Sequence, residues 1–162
     1  MPRLEGRANA PGSHWRKIMS MRPEIVKSWS ALDEEMRFTG VLHPALKEEV
    51  RRMVAQHSGC AFCASLGKPA ATYDDPRLAA AVAYGRALAE HPTSVDDAVW
   101  DEVTAHFSEE EIVELTAWIA FMFASEMIGG IMKLDPATPE LFTMYTKWIQ
   151  TGIDRYSLSA AE

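Results

Sequence analysis

A chain of 162 residues is one domain's worth of sequence, long enough to bury a sizeable core. Its 48% hydrophobic and 24% charged residues have a globular balance, no run is expected to span a membrane, and no apolar segment follows the early arginines as in a secretory signal, so a cytoplasmic protein is expected. A formal charge of -7 and a pI near 5.2, without a basic run interleaved with aromatics, argue against a nucleic-acid partner and leave small molecules and proteins.

Residues 1–20 contain Pro2, Gly6, Pro11 and Gly12 but no apolar period, which predicts an irregular arm suited to lying on a neighbouring subunit. A single helical domain is expected over 21–162. Ile25, Val26, Trp29, Leu32 and Met36 follow helical spacing after Pro23, up to about Phe38, with Gly40 beyond. His43-Pro44 opens a second helix carrying Leu46, Val50, Met53 and Val54 to about Ser58-Gly59. A short third helix begins at the cysteines and stops by Gly67-Lys68-Pro69. Asp75-Pro76 caps and starts a fourth, to about Glu90, and Thr93 or Ser94 caps a fifth with Val99, Val103 and Phe107. Ser108-Glu109-Glu110-Glu111 fits a capping box for the most apolar helix, Ile112 to about Ile128, broken by Gly129-Gly130. Thr138-Pro139 starts a seventh, with Leu141, Met144, Tyr145, Trp148 and Ile149 on one side. No stretch reads as strand, so the predicted fold is all-α with about seven helices.

Both cysteines fall in Ser58-Gly59-Cys60-Ala61-Phe62-Cys63. One helical turn apart, their sulfurs come within disulfide reach, and a helix starting at Gly59 or Cys60 points free N–H groups at the Cys60 sulfur and favours thiolate. In a reducing compartment such a pair is more often redox-active than structural, although either cysteine alone could be a small buried hydrophobe. A structural zinc needs four ligands, and only His57 offers a third, so neither metal nor cofactor is expected.

A glutamate, eleven residues ending in glycine, then Cys-x-x-Cys is the order Glu48, Glu49 through Gly59, Cys60-Ala61-Phe62-Cys63. This motif, with the helix order over roughly 22–135, resembles the AhpD-like alkylhydroperoxidases of the carboxymuconolactone decarboxylase superfamily. The resemblance implies an AhpD-like helical bundle and a thiol-dependent oxidoreductase, in which Cys63 attacks a hydroperoxide and Cys60 resolves the sulfenic acid to a disulfide. It assigns Glu48 to a proton relay and implies an unspecified thiol reductant; disulfide exchange is the less demanding activity. The apolar helix from Ile112 and the tail from Leu141 to Ile149 offer more hydrophobic surface than one small helical domain hides, so a homo-oligomer is expected, for which the resemblance suggests a dimer, trimer or hexamer.

The sequence departs from the family where a relay histidine is usual, at Gly67, and Phe62 surrounds the thiol with more apolar surface. His57, one turn before Cys60, is the candidate substitute base, with an exposed helix-end histidine as the alternative. At about 100° per residue, the face through Leu46, Val50, Met53 and Val54 points Glu49 inward and Glu48 away, unless the helix packs on two sides; motif spacing selects Glu48, and Glu49 stays the alternative. The missing histidine also admits a non-enzymatic helical oligomer that keeps a degenerate site. Lactone decarboxylation, known elsewhere in the superfamily, has no site picked out here.

Overall fold

A computed structural model describes residues 1–159, which form eight helices and no strand: α1 His14–Met19, α2 Pro23–Phe38, α3 Pro44–His57, α4 Ala61–Ser65, α5 Pro76–Glu90, α6 Asp97–His106, α7 Glu109–Ile131 and α8 Pro139–Ser159. Proline stands in the first turn of α2, α3 and α5, where its missing N–H costs no intrahelical bond. Asp75 caps α5 by accepting from Arg77 N at 2.9 Å. The capping box of α7 is complete, with Glu111 N donating to Ser108 Oγ at 3.3 Å and Ser108 N donating to Glu111 Oε2 at 2.9 Å. Helix α6 starts later than the sequence suggests, with Asp96 rather than Thr93 or Ser94 at its N-cap.

The eighth helix, α1, lies inside the arm expected to be irregular. Six residues are too few for a periodic signal, and its only fully buried residue is Ile18. The arm lies along its own chain: Arg3 N donates to Met132 O at 2.9 Å, Arg7 N donates to Lys17 O at 3.0 Å, and the Trp15 ring packs 6.3 Å from that of Trp29.

Helix α3 is packed on two sides. Val50 and Val54 are buried in the main core with Ala81 and Val82 of α5 and with Leu115, Trp118 and Ile119 of α7. Lys47, on the same side, pairs with Glu114 of α7 at 2.7 Å, whereas on the other flank Glu48 meets Arg37 of α2 at 3.3 Å and Tyr145 of α8 at 2.7 Å. Such two-sided packing turns Glu48 inward as well as the apolar face.

Helix α7 runs straight through Gly129-Gly130 instead of breaking there. A Cβ at Gly129 would overlap Cys60 Sγ, and one at Gly130 would sit 3.3 Å from the Ser58 and Gly59 carbonyl oxygens. These glycines let the helix lie directly on the cysteine turn. Contrary to the expectation that no run approaches a membrane span, α7 is long and apolar enough to do so by length and composition alone; in this fold it is the element against which α3, α4 and α5 pack.

Candidate functional site

Cys60 is the N-cap of α4, its sulfur accepting from Cys63 N at 3.2 Å, and the two cysteines form a disulfide with their Cα atoms 5.3 Å apart. Their environments differ. Cys60 is 1% exposed and pressed against Gly129, whereas Cys63 lines a cavity of about 150 Å³. Trp15, Trp29, Phe62, Leu66 and Met122 supply its apolar walls, and Arg37, Arg51, Glu126 and Tyr145 its main polar groups. Trp29 Nε1 donates to Ser125 Oγ at 3.0 Å, fixing α2 to α7 across the cavity wall.

Beside the cavity, Glu48 sits at the centre of a buried ion network. Its Oε1 accepts from Arg51 Nη2 at 2.9 Å and Arg52 Nε at 3.2 Å; its Oε2 accepts from Arg51 Nε at 2.9 Å, Arg37 Nη1 at 3.3 Å and Tyr145 Oη at 2.7 Å. Burial pushes this carboxyl up, but the charge and hydrogen bonds of Arg51, then Arg37 and Tyr145, outweigh it and hold Glu48 below the ordinary carboxylate value. It is an anion. Burial, with Glu48 alongside, drives the Tyr145 phenol well above its usual value despite the two arginines. Arg37 is further held by Asp33 at 2.8 Å, and its guanidinium lies over Trp118 and Trp148 at 4.8 and 5.0 Å.

The network reaches the cysteines through Arg51, whose Nη1 donates to Cys63 O at 3.2 Å and Nη2 to Leu66 O at 3.3 Å. These carbonyls end the short helix α4, so the Glu48–Arg51 pair fixes where Cys63 sits. The structure thus brings Glu48, Cys60 and Cys63 into one neighbourhood. Glu49 lies on the other side, accepting from Ala70 N at 2.5 Å and Tyr73 Oη at 2.9 Å.

His57 is not brought to the cavity. Its Nδ1 faces Glu90 Oε1 at the end of α5, 3.2 Å away, with the imidazole partly exposed. Gly67 has a φ of 132°, a conformation that favours glycine, and a Cβ there would meet Arg52 Nε at 3.0 Å. Arg52, held there by Glu48 and Glu49, and the positive φ leave no relaxed place for a histidine at this position.

The site also contains a residue that sequence reasoning passes over. Glu126 of α7 is 3% exposed, lines the same cavity as Cys63, and neither carboxyl oxygen has a hydrogen bond. The nearby Ser58 hydroxyl spends its hydrogen on the Ala55 carbonyl at 3.3 Å. Burial pushes the Glu126 carboxyl up to about 8, with Arg51, then the nearby Ser58 hydroxyl, then Arg37 pulling less strongly the other way. Its signal in the sequence is that it is the only charged residue between Ala117 and Ile131. Among the described residues, no group of three or more His, Cys, Asp or Glu side chains is placed to hold a metal ion.

No protein-family model matches the chain, and no curated protein matches it significantly.

Proposed function

We propose that the protein is a thiol-dependent oxidoreductase that reduces hydroperoxides, or exchanges disulfides, through Cys60 and Cys63. The observation that carries this reading is the asymmetry of the pair: Cys63 lines the cavity while Cys60 is buried behind it against α7. A peroxide entering the cavity meets Cys63 as nucleophile, and Cys60 is already placed to resolve the product. The Cys63 thiolate attacks the distal oxygen; an S–O bond forms, the O–O bond breaks and an alcohol leaves. Cys60 thiolate then attacks the Cys63 sulfenic acid, forming the disulfide and releasing water. A thiol reductant returns two electrons and two protons, as a reducing cytoplasm provides. Arg51, held by Glu48, places a positive charge beside Cys63 and favours its thiolate. Glu48 acts here by holding Arg51.

We further propose that copies of the chain associate, because Val113, Met127 and Ile131 of α7 and Met144 and Leu158 of α8 are exposed large apolar side chains.

The test is stopped-flow oxidation of the reduced protein by hydrogen peroxide and by cumene hydroperoxide, with free thiols counted afterwards. Two thiols should disappear together and much faster than a free thiol reacts in solution. In Cys63→Ser the fast phase should vanish; in Cys60→Ser it should persist and stop at a sulfenic acid. Oxidation no faster than that of a free thiol overturns the peroxidase reading and leaves disulfide exchange or a helical assembly with an idle cysteine pair.

A further inference from the structure

We propose that Glu126 is the proton carrier for Cys63, taking the thiol's proton before attack and delivering it to the oxygen that leaves. The inference deepens the redox reading above and rests on it. A thiol buried at the base of a cavity needs a proton acceptor, and the other polar groups nearby are committed. Glu48 accepts five hydrogen bonds, and the Tyr145 hydroxyl donates to Glu48. His57 faces Glu90, and Gly67 has no side chain.

Glu126 is buried, without a hydrogen-bond partner, and on the cavity. It lies one helical turn before Gly129 on α7, and a Cβ built on that glycine stands only 3.4 Å from Cys63 Sγ. The same helix face therefore carries both the contact to the sulfurs and the orphaned carboxyl.

The charged and titratable groups around Glu126 are Arg37 and Asp33 of α2, Glu48 and Arg51 of α3, Cys60 and Cys63 at α4, and Tyr145 of α8. Glu126 and Cys63 form a coupled acid pair, and the reactive state holds one proton between them. In that state the proton rests on Glu126 and Cys63 is thiolate. Attack forms S–O and breaks O–O, and the alkoxide takes the Glu126 proton to leave as alcohol. The Glu126 carboxylate then accepts the Cys60 thiol proton. Cys60 thiolate forms the S–S bond, and the hydroxide expelled from Cys63 takes that proton to leave as water. Glu126 ends as the carboxylate. The fully protonated pair is unreactive and the fully deprotonated pair has lost the proton the alkoxide needs, so the rate rises as the first proton leaves and falls again as Glu126 loses the second.

Two measurements from pH 5.5 to 9.5 test this. The first is single-turnover oxidation by cumene hydroperoxide for wild type, Glu126→Gln and Glu126→Asp. At pH 8 Glu126→Gln should be slower by about a hundredfold and lose the fall at high pH, keeping only the single rise of the Cys63 thiol, with Glu126→Asp recovering part of the rate and of the fall. The second needs no peroxide: iodoacetamide alkylation of reduced protein in a Cys60→Ser background, so that only Cys63 reacts. With Glu126 present, the profile should show two coupled steps; with Glu126→Gln, one. If wild type oxidises rapidly and Glu126→Gln matches it in rate and profile, the proposal is overturned while the redox reading stands. If wild type resists both hydroperoxides, the peroxidase reading falls, and identical alkylation profiles with and without Glu126 would overturn the proton coupling as well.

Discussion

Glu48 and Glu126 share one interior and are pushed in opposite directions, the first held below the ordinary carboxylate value by guanidinium groups and the second raised to about 8 by burial. Their linkage to stability has opposite signs. The folded-state value of Glu48 lies below its unfolded value of about 4.3, so its contribution is present above that pH and lost as pH falls through the folded value. The folded-state value of Glu126, about 8, lies above the unfolded one, so the folded protein holds the proton more tightly and loses stability as pH rises from about 4.3 to 8. Thermal melts of Glu126→Gln and wild type should therefore diverge, the variant gaining several degrees relative to wild type at pH 8 over pH 5. Glu48→Gln should cost about 3–5 kcal/mol at neutral pH, since it leaves two buried arginines without a full counter-charge. Equal melting profiles for Glu126→Gln and wild type across this range would contradict the burial of an ionisable carboxyl. From sequence, Glu48 is legible only through its distance from Cys60. Its helical periodicity points outward, because a single apolar stripe cannot reveal a helix packed on two sides.

At the scale of elements, the site depends on how closely α7 approaches the turn before α4. Helix order and most caps can be read from proline positions, the Ser108 capping box and apolar spacing, because these signals are local. Gly129-Gly130 illustrates the limit: a glycine pair reads as a break, yet a helix tolerates glycine at modest cost when the missing Cβ admits a neighbour. Here that neighbour is the Cys60 sulfur, more than sixty residues earlier in the chain. Gly129→Ala should force α7 and the cysteine turn apart, costing about 1–3 kcal/mol despite alanine's better helix propensity. Because Cys60 is the sulfur displaced, closure of the disulfide should suffer more than attack by Cys63. Quenching the stopped-flow reaction early would check this: the variant should accumulate sulfenic acid, trapped with dimedone, where wild type shows little. Unchanged stability and no trapped intermediate would show that α7 can shift without cost.

For the whole molecule, the folded chain still exposes apolar side chains in the places that bury none of the site. Met127 and Ile131, one turn apart on α7, are 47% and 50% exposed, and Met144 and Leu158 of α8 are 64% and 73% exposed. Isolated exposed apolar residues are ordinary, but Met127 and Ile131 share one side of α7, and the proposed association would cover that stripe. The -7 charge opposes association, so a face that overcomes it must gain from apolar burial, and raising salt should strengthen the contact by screening the repulsion. Light scattering should accordingly give a mass that is a multiple of 18.0 kDa, and Met127→Glu with Ile131→Glu should reduce it toward one chain without unfolding the protein. Met127 directly follows Glu126 on α7. If association covers that outer face, it restrains the helix that carries the orphaned carboxyl, and the double variant should also lower the rate of Cys63 oxidation by a few-fold. A plain monomer at micromolar concentration, with oxidation kinetics unaffected by the double substitution, would show that one copy of the chain is the working unit.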